Sequence, residues 1–483
     1  MMKKIIAIDQ GTSSSRAILF DETLQILRID SEKIESQFPN SGWVEQNPSD
    51  IIASVIKTVK TVIDNDVVAL GITNQRETVV IWDRKSGIPI YNAIVWQDRR
   101  TDNVCKDLRL RGYQGLVEER TGLLLDPYFS ASKIGWLLDN VENARQEAEQ
   151  GNLAFGTIDS FVLWHLTEGR LHATDITNAS RTMLFNIYDK KWDDDLLDLF
   201  GIPRSILPVV NENIADFSET SLFGKKIPIK AMIGDQQAAT VGLGCFRPGM
   251  VKATFGTGCF VMMNTGQQAD RSKSNLITTI AYTIDGLTTY AKEGSLFNVG
   301  TTIDWMKNNL NLLESYNDLN KIKEETNNVV FIPAFTGLGA PYWNSSCRGA
   351  IFGLERDTDS NDLIMAALKS IAFQVRDLLS AMQLDYPNKS IELLKVDGGV
   401  SQNDWLLQKI SDQLRLKVER PINVEASAFG VACLLSLSLG DFKDFAAIDD
   451  YLKIDKIFEP KNDTVLIDKE YASWTGAIKK LLS

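Results

Sequence analysis

Cysteine and histidine are scarce in this chain. Its 483 residues include five cysteines and two histidines. The cysteines are scattered, odd in number and without a CxxC pair, which argues against a disulfide framework and against a zinc site. We expect reduced cysteines in or near the core. His165 and His172 flank a Thr-Glu-Gly-Arg segment typical of a surface turn, so a structural role is the better interpretation for both.

The chain also lacks long hydrophobic runs and clusters of basic residues. A formal net charge of −12 without a run of Lys or Arg disfavours nucleic acid and anionic membranes as partners. The N-terminal lysines are followed by only four apolar residues, 5–8, too few for a signal-peptide core or a membrane span. We therefore expect a cytoplasmic protein without membrane insertion.

Several common catalytic motifs are missing. The sequence contains no HExxH, GxSxG, GxxxxGK[ST] or GxGxxG, which weakens metalloprotease, serine hydrolase, P-loop and Rossmann interpretations. The composition, with 44% hydrophobic and 24% charged residues, is that of an ordinary globular protein. At this length two or more domains are expected.

The first part of the chain has a readable order of elements. Residues 3–9, 15–21 and 24–30 are short β-like runs, which predict an antiparallel meander. Asn47 before Pro48 predicts the start of a helix, and the apolar run 67–73 predicts the next strand. Three strands, a helix and a strand, with a phosphate-type turn after the first strand, is the order of the ribonuclease-H-like fold of actin and sugar kinases.

The second part repeats this order. Strand-like runs at 250–258, 259–266 and 278–283 precede a helix-like segment at 301–310 and another strand-like run at 393–399. We therefore predict an α/β protein of two duplicated ribonuclease-H-like (actin/sugar kinase) domains, residues 1–246 and 247–483, flanking a nucleotide cleft. Pro248-Gly249 marks the join.

Three distant segments, 6–21, 233–260 and 393–405, indicate one nucleotide site. In the first, Gly11 permits a tight turn, and Thr12 with the following serines offers donors to phosphate oxygens. Asp9 ends the preceding strand and could hold Mg²⁺ through water, since this ion dehydrates reluctantly. The second segment supplies another Gly-Thr turn, and in the third, bare glycine backbone could lie flat against a purine beside a helix N-terminus.

Asp235 is the strongest candidate for a catalytic residue. It follows a strand-like run and precedes a helix-like one, and α/β proteins place catalytic groups at such strand ends. The alternative is a carboxylate that only caps the helix. Transfer of a phosphoryl group to an alcohol needs a group that accepts the hydroxyl proton, so we predict that Asp235 is a general base.

Beyond these features, long stretches resemble the FGGY family of carbohydrate kinases, and within it the members that phosphorylate glycerol. The resemblance covers nearly the whole chain and is carried by GWVEQNP (42–48), GITNQRET (71–78), YNAIVWQDRR (91–100), residues 121–140 and 174–187, GDQQAA (234–239), FGTGCF (255–260), PAFTGLGAPYW (333–343) and RGAIFGL (348–354). The Asn-Gln-Arg-Glu tetrapeptide favours glycerol over a pentulose. The second family pattern departs at Lys369, where an acidic or amide residue is usual; we expect this to affect helix packing rather than activity.

The resemblance implies roles for individual residues. Glycerol would be bound by Arg76, Glu77, Tyr128, Asp235 and Gln236, with Trp96 and Phe260 as aromatic walls. ATP would be bound by Thr12, Ser13, Ser14, Arg16, Thr257, Gly300, Asp304, Gly399 and Asn403. Asp304 stands where related enzymes often have Gln.

The activity implied by this resemblance is ATP-dependent phosphorylation of glycerol to sn-glycerol 3-phosphate, with ATP and Mg²⁺ as cofactors. Family members are commonly homodimers or homotetramers, and we expect one of these here. One alternative is a kinase for another small polyol or ketose. Another, from a different class, is an actin-like or chaperone-like ATPase, which would not need the polyol residues.

The resemblance also bears on regulation. Some bacterial relatives bind fructose 1,6-bisphosphate through two glycines followed by Arg or Lys, whereas this chain has only Gly224 before Lys225 and Lys226. Fewer bare N–H groups can then approach a phosphate. Other relatives are activated by phosphorylation of a histidine in the same stretch, and this chain has none after His172. We expect weak or absent control by either route.

Overall fold

The computed structural model of the chain describes residues 3–321, 328–344, 346–423, 425–461 and 464–483. In the first part of the chain the strands are β1 (Lys4–Gln10), β2 (Ser14–Asp21), β3 (Ile26–Lys33), β4 (Glu45–Gln46), β5 (Val67–Asn74), β6 (Val79–Asp83), β7 (Ala93–Ile94), β8 (Leu153–Thr157), β9 (Ala173–Asp175), β10 (Phe185–Asn186), β11 (Lys191–Trp192), β12 (Val209–Asn211), β13 (Glu219–Thr220) and β14 (Ile227–Gly234). They continue with β15 (Val251–Phe255), β16 (Cys259–Gly266), β17 (Ile277–Ile284), β18 (Leu287–Leu296), β19 (Val330–Ile332), β20 (Ala350–Phe352), β21 (Leu393–Asp397), β22 (Lys417–Pro421) and β23 (Ile454–Phe458).

The helices lie between groups of these strands along the chain. In chain order they are α1 (Pro48–Val62), α2 (Asp102–Leu110), α3 (Gln114–Thr121), α4 (Ser130–Asn140), α5 (Ala144–Glu149), α6 (Ile158–Leu166), α7 (Ile176–Ala179), α8 (Asp194–Phe200), α9 (Asp235–Gly242), α10 (Gly300–Asn308), α11 (Ser360–Asp385), α12 (Asp404–Leu414), α13 (Ala426–Ser438), α14 (Phe445–Asp449) and α15 (Thr464–Leu482). Short 3₁₀ turns span Arg204–Ile206, Tyr316–Lys321 and Gly399–Gln402.

The first large sheet has the strand order β13-β14-β5-β1-β2-β3. β1 pairs antiparallel with β2 and parallel with β5, so the predicted meander and following strand are confirmed. Alternate residues of a strand face opposite sides of a sheet. Ile6 and Ile8 accordingly pack in the cluster that contains α1 and α6, and Ile5 and Ala7 pack in the cluster that contains α13.

The second large sheet repeats the first. Its order is β17-β18-β16-β15-β21-β22-β23. Within it, β18-β16-β15-β21-β22 has the same order and the same strand directions as β3-β2-β1-β5-β14. The predicted duplication of a ribonuclease-H-like α/β unit is therefore confirmed. β23 lies antiparallel beside β22, as β13 does beside β14, so β17 is the additional edge strand of the second sheet.

Two helices, α9 and α13, pack on each other and on the first sheet. α9 follows β14 directly, and α13 packs on it and on strands β1, β5 and β14. A Cβ atom at Gly430 would lie 1.9 Å from the carbonyl oxygen of Ala238, and one at Gly242 would lie 2.0 Å from that of Ala426. Only glycine permits this approach, so a helix from the last part of the chain covers one face of the first sheet. The domain boundary at 246/247 stays a prediction.

The unusual Lys369 lies on α11 at its contact with α15. Its Nζ donates a hydrogen bond to Glu470 Oε1 at 2.7 Å, and the residue is 7% exposed. This ion pair joins the two helices, and nothing in it reaches the ends of the central strands. The departure from the family pattern thus lies in the packing of two helices; that it leaves activity unaffected stays a prediction.

The cysteines are unpaired, and all except the half-buried Cys347 are buried. His172 Nε2 donates a hydrogen bond to the Phe155 carbonyl oxygen at 2.7 Å, and its ring lies edge-on to Trp82. Burial lowers the pKa of His172 to about 4, so the ring is neutral at pH 7. Among the described residues, no helix is long and apolar enough to cross a membrane.

Candidate active site

The carboxyl ends of three neighbouring parallel strands carry the charged candidates. Asp9 lies near the end of β1, Arg76 and Glu77 follow β5, and Asp235 follows β14. Because β5 lies between β1 and β14, these side chains meet at one edge of the sheet. The fold therefore brings together residues that are up to 226 positions apart, from Asp9 to Asp235.

Arg76 is the centre of a buried group of charges. Its Nε lies 3.3 Å from Asp235 Oδ1 and 3.8 Å from Glu77 Oε1, and its two Nη atoms donate to Glu293 at 2.8 and 2.9 Å. Arg181 donates to Glu77 at 2.5 Å and to Glu293 at 2.9 Å. Burial opposes the ionised form of Glu293, but the Arg181 and Arg76 charges hold its pKa at about 2.

This group fixes the predicted glycerol residues more tightly than the sequence indicated. Buried charges are tolerated when each is paired and hydrogen-bonded, and here two arginines face two glutamates. Since both Nη atoms of Arg76 are engaged by Glu293, its Nε is the edge turned toward Asp235. Arg181 and Glu293 therefore orient Arg76 and Glu77.

Asp235 differs from this group in its exposure. Its side chain is 26% exposed, whereas those of Arg76 and Glu77 are 2% exposed. Its Oδ1 accepts a hydrogen bond from the N–H of Gln236 at 2.7 Å, so it binds the first turn of α9 while part of the carboxylate stays open. Burial raises the pKa of Asp235 against the opposing charges of Arg76 and Lys252, which makes it a stronger proton acceptor.

Aromatic rings stand beside these charges. The ring of Trp96 lies edge-on to Tyr128 at 5.6 Å and to Phe260 at 5.9 Å between centroids. Burial and the nearby Glu77 carboxylate raise the pKa of Tyr128, so its hydroxyl keeps its proton. The indole N–H of Trp96 donates to Thr12 Oγ1 at 2.9 Å. The predicted aromatic walls and the predicted phosphate turn are therefore in direct contact.

The turn after β1 has the predicted shape. The Gly11 N–H donates to the Ser14 carbonyl oxygen at 2.9 Å, which closes the turn. Ser13 is exposed and Ser14 is half-buried. Arg16 forms an ion pair with Glu425 at 2.7 Å, so this predicted phosphate ligand already has a partner at the start of α13.

Asp9 is the residue that the sequence predicts to hold a magnesium ion. Burial, together with the charge of Asp235, raises its pKa to about 7, against a smaller opposing effect of Arg16. A carboxylate whose pKa is raised by burial and by a second carboxylate is stabilised in its ionised form by a cation. The described residues contain no group of three or more potential metal ligands. One carboxylate with phosphates and waters is nevertheless the usual environment of Mg²⁺ in kinases.

The second lobe contributes a matching turn. The Gly256 N–H donates to the Gly258 carbonyl oxygen at 2.9 Å. Helix α10 begins on this turn, since the Gly300 N–H donates to the Gly256 carbonyl oxygen at 3.1 Å and that of Val299 to the Thr257 carbonyl oxygen at 3.0 Å. Thr257 and Gly300 are therefore brought together, as the sequence predicted.

The predicted adenosine residues follow β21. A Cβ atom at Gly399 would have no heavy atom within 4 Å, so one side of this backbone is open. Asn403 caps α12, because its Oδ1 accepts a hydrogen bond from the Leu406 N–H at 2.8 Å. Asp304 accepts a hydrogen bond from the hydroxyl of Tyr316. The side-chain oxygens of Asn403 and Asp304 thus already have donors.

Sequence reasoning missed Arg181, Glu293, Lys252 and Asp397. Lys252 is buried in β15 and donates to Gln236 Oε1 at 2.5 Å, so the amide oxygen of this predicted glycerol ligand is occupied. Burial raises the pKa of Asp397 to about 6, although the charge of Lys252 opposes it. A charged residue within an apolar strand is a usable signal, because such residues are almost never buried unless paired.

Two duplicated ribonuclease-H-like lobes, with an open carboxylate beside a phosphate-type turn, define the class of sugar and polyol kinases. Comparison with known families agrees. The model of the FGGY family of carbohydrate kinases, N-terminal domain, matches residues 4–242, and that of the C-terminal domain matches residues 251–439. The chain belongs to the FGGY family of carbohydrate kinases.

Individual relatives within this family have more specific names. The chain is 47% identical to glycerol kinase of Roseobacter denitrificans, with 100% of both chains covered, and 46% identical to that of Listeria monocytogenes, with 99% and 98% covered. Among solved structures it is similar to Plasmodium falciparum glycerol kinase with ADP, with a TM-score of 0.94, 32% identity and 100% and 99% of the two chains covered. A xylulose kinase from Lactobacillus acidophilus, at 20% identity, 100% and 99% coverage and a TM-score of 0.90, has the same fold.

Proposed function

We propose that this chain catalyses the phosphorylation of glycerol by ATP, giving sn-glycerol 3-phosphate and ADP. The observation that carries the proposal is the partly open carboxylate of Asp235, 3.3 Å from the buried Arg76, in a sheet edge that also holds the Gly11 turn. The full-length glycerol kinase relatives support glycerol as the acceptor.

In this mechanism Asp235 accepts the proton of a terminal glycerol hydroxyl. The hydroxyl oxygen forms a bond to the γ-phosphorus, the bond from this phosphorus to the β,γ-bridging oxygen breaks, and ADP leaves with the electron pair. Arg76 and Glu77, held by Arg181 and Glu293, orient the glycerol hydroxyls. The rigid charge group therefore aims the nucleophile.

Aromatic and polar groups complete the polyol pocket. Trp96 and Phe260 cover the carbon chain, and Tyr128 supplies a protonated hydroxyl. Gln236 contributes its amide NH₂ group, because its amide oxygen is bound to Lys252. A three-carbon polyol has little apolar surface, so fixed donors and acceptors with flat walls suit it.

ATP would lie across both lobes. The turn residues Thr12, Ser13 and Ser14, with Arg16, face the phosphates, and Asp9 would hold Mg²⁺ through water. This ion, when bound, neutralises charge on the transferring phosphate. On the other lobe the nucleotide residues are Thr257, Gly300, Asp304, Gly399 and Asn403. A homodimer or homotetramer and a cytoplasmic location stay predictions.

A substrate panel tests the proposal. ADP release and the phosphorylated product are measured with Mg²⁺-ATP and glycerol, dihydroxyacetone, erythritol, a pentulose or 1-propanol. A site built to hydrogen-bond hydroxyls discriminates against an analogue lacking them by roughly 10⁴ to 10⁵ in kcat/KM. We expect ATP turnover to require glycerol. A pentulose preferred over glycerol, efficient use of 1-propanol, or ATP turnover without any polyol would contradict the proposal.

A further inference from the structure

Three glutamine side chains are buried beneath the phosphate-type turn. Gln10, Gln46 and Gln75 are each at most 1% exposed. The Nε2 of Gln75 donates to Gln46 Oε1 at 2.9 Å and to Gln10 Oε1 at 3.2 Å, and the Thr78 hydroxyl donates to Gln75 Oε1 at 2.9 Å. Burying an amide costs free energy unless it is hydrogen-bonded, and these amides satisfy one another. We call Gln10, Gln46, Gln75 and Thr78 the amide relay.

One end of the amide relay holds the backbone of the turn. Gln10 Nε2 donates to the Gly11 carbonyl oxygen at 2.8 Å, and Gln46 Nε2 donates to that of Thr12 at 2.6 Å. In a planar trans peptide the C=O and the following N–H point in opposite directions. The relay therefore turns the N–H groups of Thr12 and Ser13 away from itself. Within the part of the chain that the structure describes, these two N–H groups have no protein acceptor.

The other end of the amide relay holds the aromatic wall. The backbone N–H of Trp96 donates to the Thr78 hydroxyl oxygen at 3.2 Å. The Trp96 indole N–H donates to Thr12 Oγ1 at 2.9 Å, which leaves the Thr12 hydroxyl proton available to a phosphate oxygen. Trp96 is thus joined to the turn twice, once directly and once through Thr78 and the buried amides.

We infer that the amide relay couples the polyol pocket to the phosphate turn, with Gln46, Gln75 and Thr78 as positioning residues. The inference rests on the proposed function, in which Trp96 covers glycerol and the turn binds ATP. Glycerol that packs on Trp96 restricts the indole, and the relay transmits this restriction to the Thr12 and Ser13 donors. By linkage, each ligand then raises the affinity for the other by the same factor.

The test measures this factor directly. The Kd of adenylyl imidodiphosphate with Mg²⁺ is determined by calorimetry with and without saturating glycerol, in the wild type and in Thr78→Val and Gln46→Met. We expect glycerol to lower the Kd about fivefold or more in the wild type, the lower end of typical coupling factors. In both variants the ratio should move toward one by at least about twofold, and the direct hydrogen bond from Trp96 to Thr12 Oγ1 should retain the rest of the coupling. Thr78→Ser, which keeps the hydroxyl, should retain the wild-type ratio.

A matched control separates coupling from damage to the core. Gln374 is also a buried amide, 6% exposed, but among the described residues it donates only to the Ser370 carbonyl oxygen within α11. Gln374→Met should leave the ratio unchanged. If the amide relay were merely structural, Thr78→Val would lower Tm or weaken the binding of both ligands. The ratio of the nucleotide Kd values with and without glycerol would then stay at its wild-type value.

The possible results are distinguishable. A wild-type ratio near one, or a wild-type ratio preserved in Thr78→Val, overturns the inference while glycerol phosphorylation stands. A wild type that neither binds nor phosphorylates glycerol overturns the proposed function, and the inference with it. Should Gln46→Met fail to fold, Thr78→Val carries the test, because the replacement is nearly isosteric and removes only the joint between Trp96 and the amides.

Discussion

The two lobes share a strand order but differ in what stands at the ends of their strands. Both first strands run into a Gly-Thr turn closed by one hydrogen bond of 2.9 Å, at Gly11 in one lobe and at Gly256 in the other. Two residues before the glycine, the first lobe has Asp9 and the second has Thr254. The duplicated fold thus supplies two similar turns. The first has a carboxylate on its own strand, whereas the second has Asp397 on the neighbouring strand, in register with Thr254.

The difference is larger after the strand that lies beside the first strand of each unit, β5 in the first lobe and β21 in the second. In the first lobe β5 is followed by Arg76 and Glu77, whose side chains join the buried charge group. In the second lobe β21 is followed by Gly398 and Gly399, which offer backbone alone. One scaffold therefore suits a small polyol through side chains and a flat base through bare backbone. The changes below test this division.

The largest effect is expected for Asp235→Asn in the first lobe. An amide cannot accept the glycerol proton, and loss of a general base typically lowers kcat by about 10² to 10⁴. The fold and the binding of ATP should be preserved, as measured by Tm and by nucleotide titration. Asp359→Asn is the control for the change from Asp to Asn at the start of a helix. Asp359 caps α11, and Asn also caps a helix well. A near wild-type kcat for Asp235→Asn would show that another group is the base.

The pH dependence of the rate should report the same carboxylate. Burial raises the pKa of Asp235, and only the ionised form accepts a proton, so kcat should fall as the pH drops through this raised pKa. We expect an acid limb in the pH profile, a range in which kcat falls about tenfold per pH unit. This limb should begin above about pH 3.9, the usual pKa of Asp. The residual activity of Asp235→Asn should lack this limb. A limb at or below the usual value would contradict the assignment.

In the second lobe two adjacent glycines should respond differently to alanine. Nothing lies within 4 Å of a Cβ atom at Gly399, so Gly399→Ala should fold normally. Filling the open backbone should raise KM for ATP about tenfold, equivalent to ~1.4 kcal/mol, with KM for glycerol unchanged.

The neighbouring glycine is the matched comparison. Gly398 has φ +89°, and a Cβ atom there would lie 2.3 Å from the Phe255 carbonyl oxygen. Gly398→Ala should therefore lower Tm, whereas Gly399→Ala should not. Equal KM values for ATP in Gly399→Ala and the wild type would contradict the assignment of this backbone of the second lobe to binding of the base.

The smallest effect is expected from fructose 1,6-bisphosphate. Lys225 Nζ donates to the carbonyl oxygens of Asn65 and Val67, both at 2.7 Å, and Lys226 pairs with Glu219 at 2.6 Å. Both lysines behind the single Gly224 thus have partners, so the first lobe has no free basic pair there to meet a phosphate. A titration of activity should show little or no inhibition, and a phosphotransferase system should add no acid-labile phosphate. Strong inhibition, or such labelling, would contradict this expectation.

Much of the fold was predictable because its signals are local. Three short β-like runs in 3–30 predicted the meander, and Asn47 before Pro48 predicted the first residue of α1, where the Asn47 side chain accepts from the Ser49 N–H. The resemblance assigned Thr12 to phosphate and Trp96, Arg76 and Asp235 to glycerol without pairing them. The structure shows Thr12 in contact with Trp96 and Arg76 in contact with Asp235. Local pattern and motif suffice where a residue's role depends on its own segment.

The partners of those residues were not predictable in the same way. Glu293 lies in the middle of β18 and Arg181 just after α7, without a motif that joins them to Arg76. Their pairing depends on where the edge of the second sheet meets the first lobe. Likewise, the occupied amide oxygen of Gln236 follows from the position of Lys252 on strand β15.

The sequence by itself determined the order of elements, the duplication and the residue types at the strand ends, because each depends on spacing along the chain. Only the tertiary structure decided which charged side chains are paired and buried and which remain partly exposed. Arg76, 2% exposed, is held by Glu293, whereas the Asp235 side chain remains 26% exposed. The physical reason is that burial and pairing, which set the reactivity of a carboxylate, come from segments more than 200 residues apart, here 217 between Arg76 and Glu293.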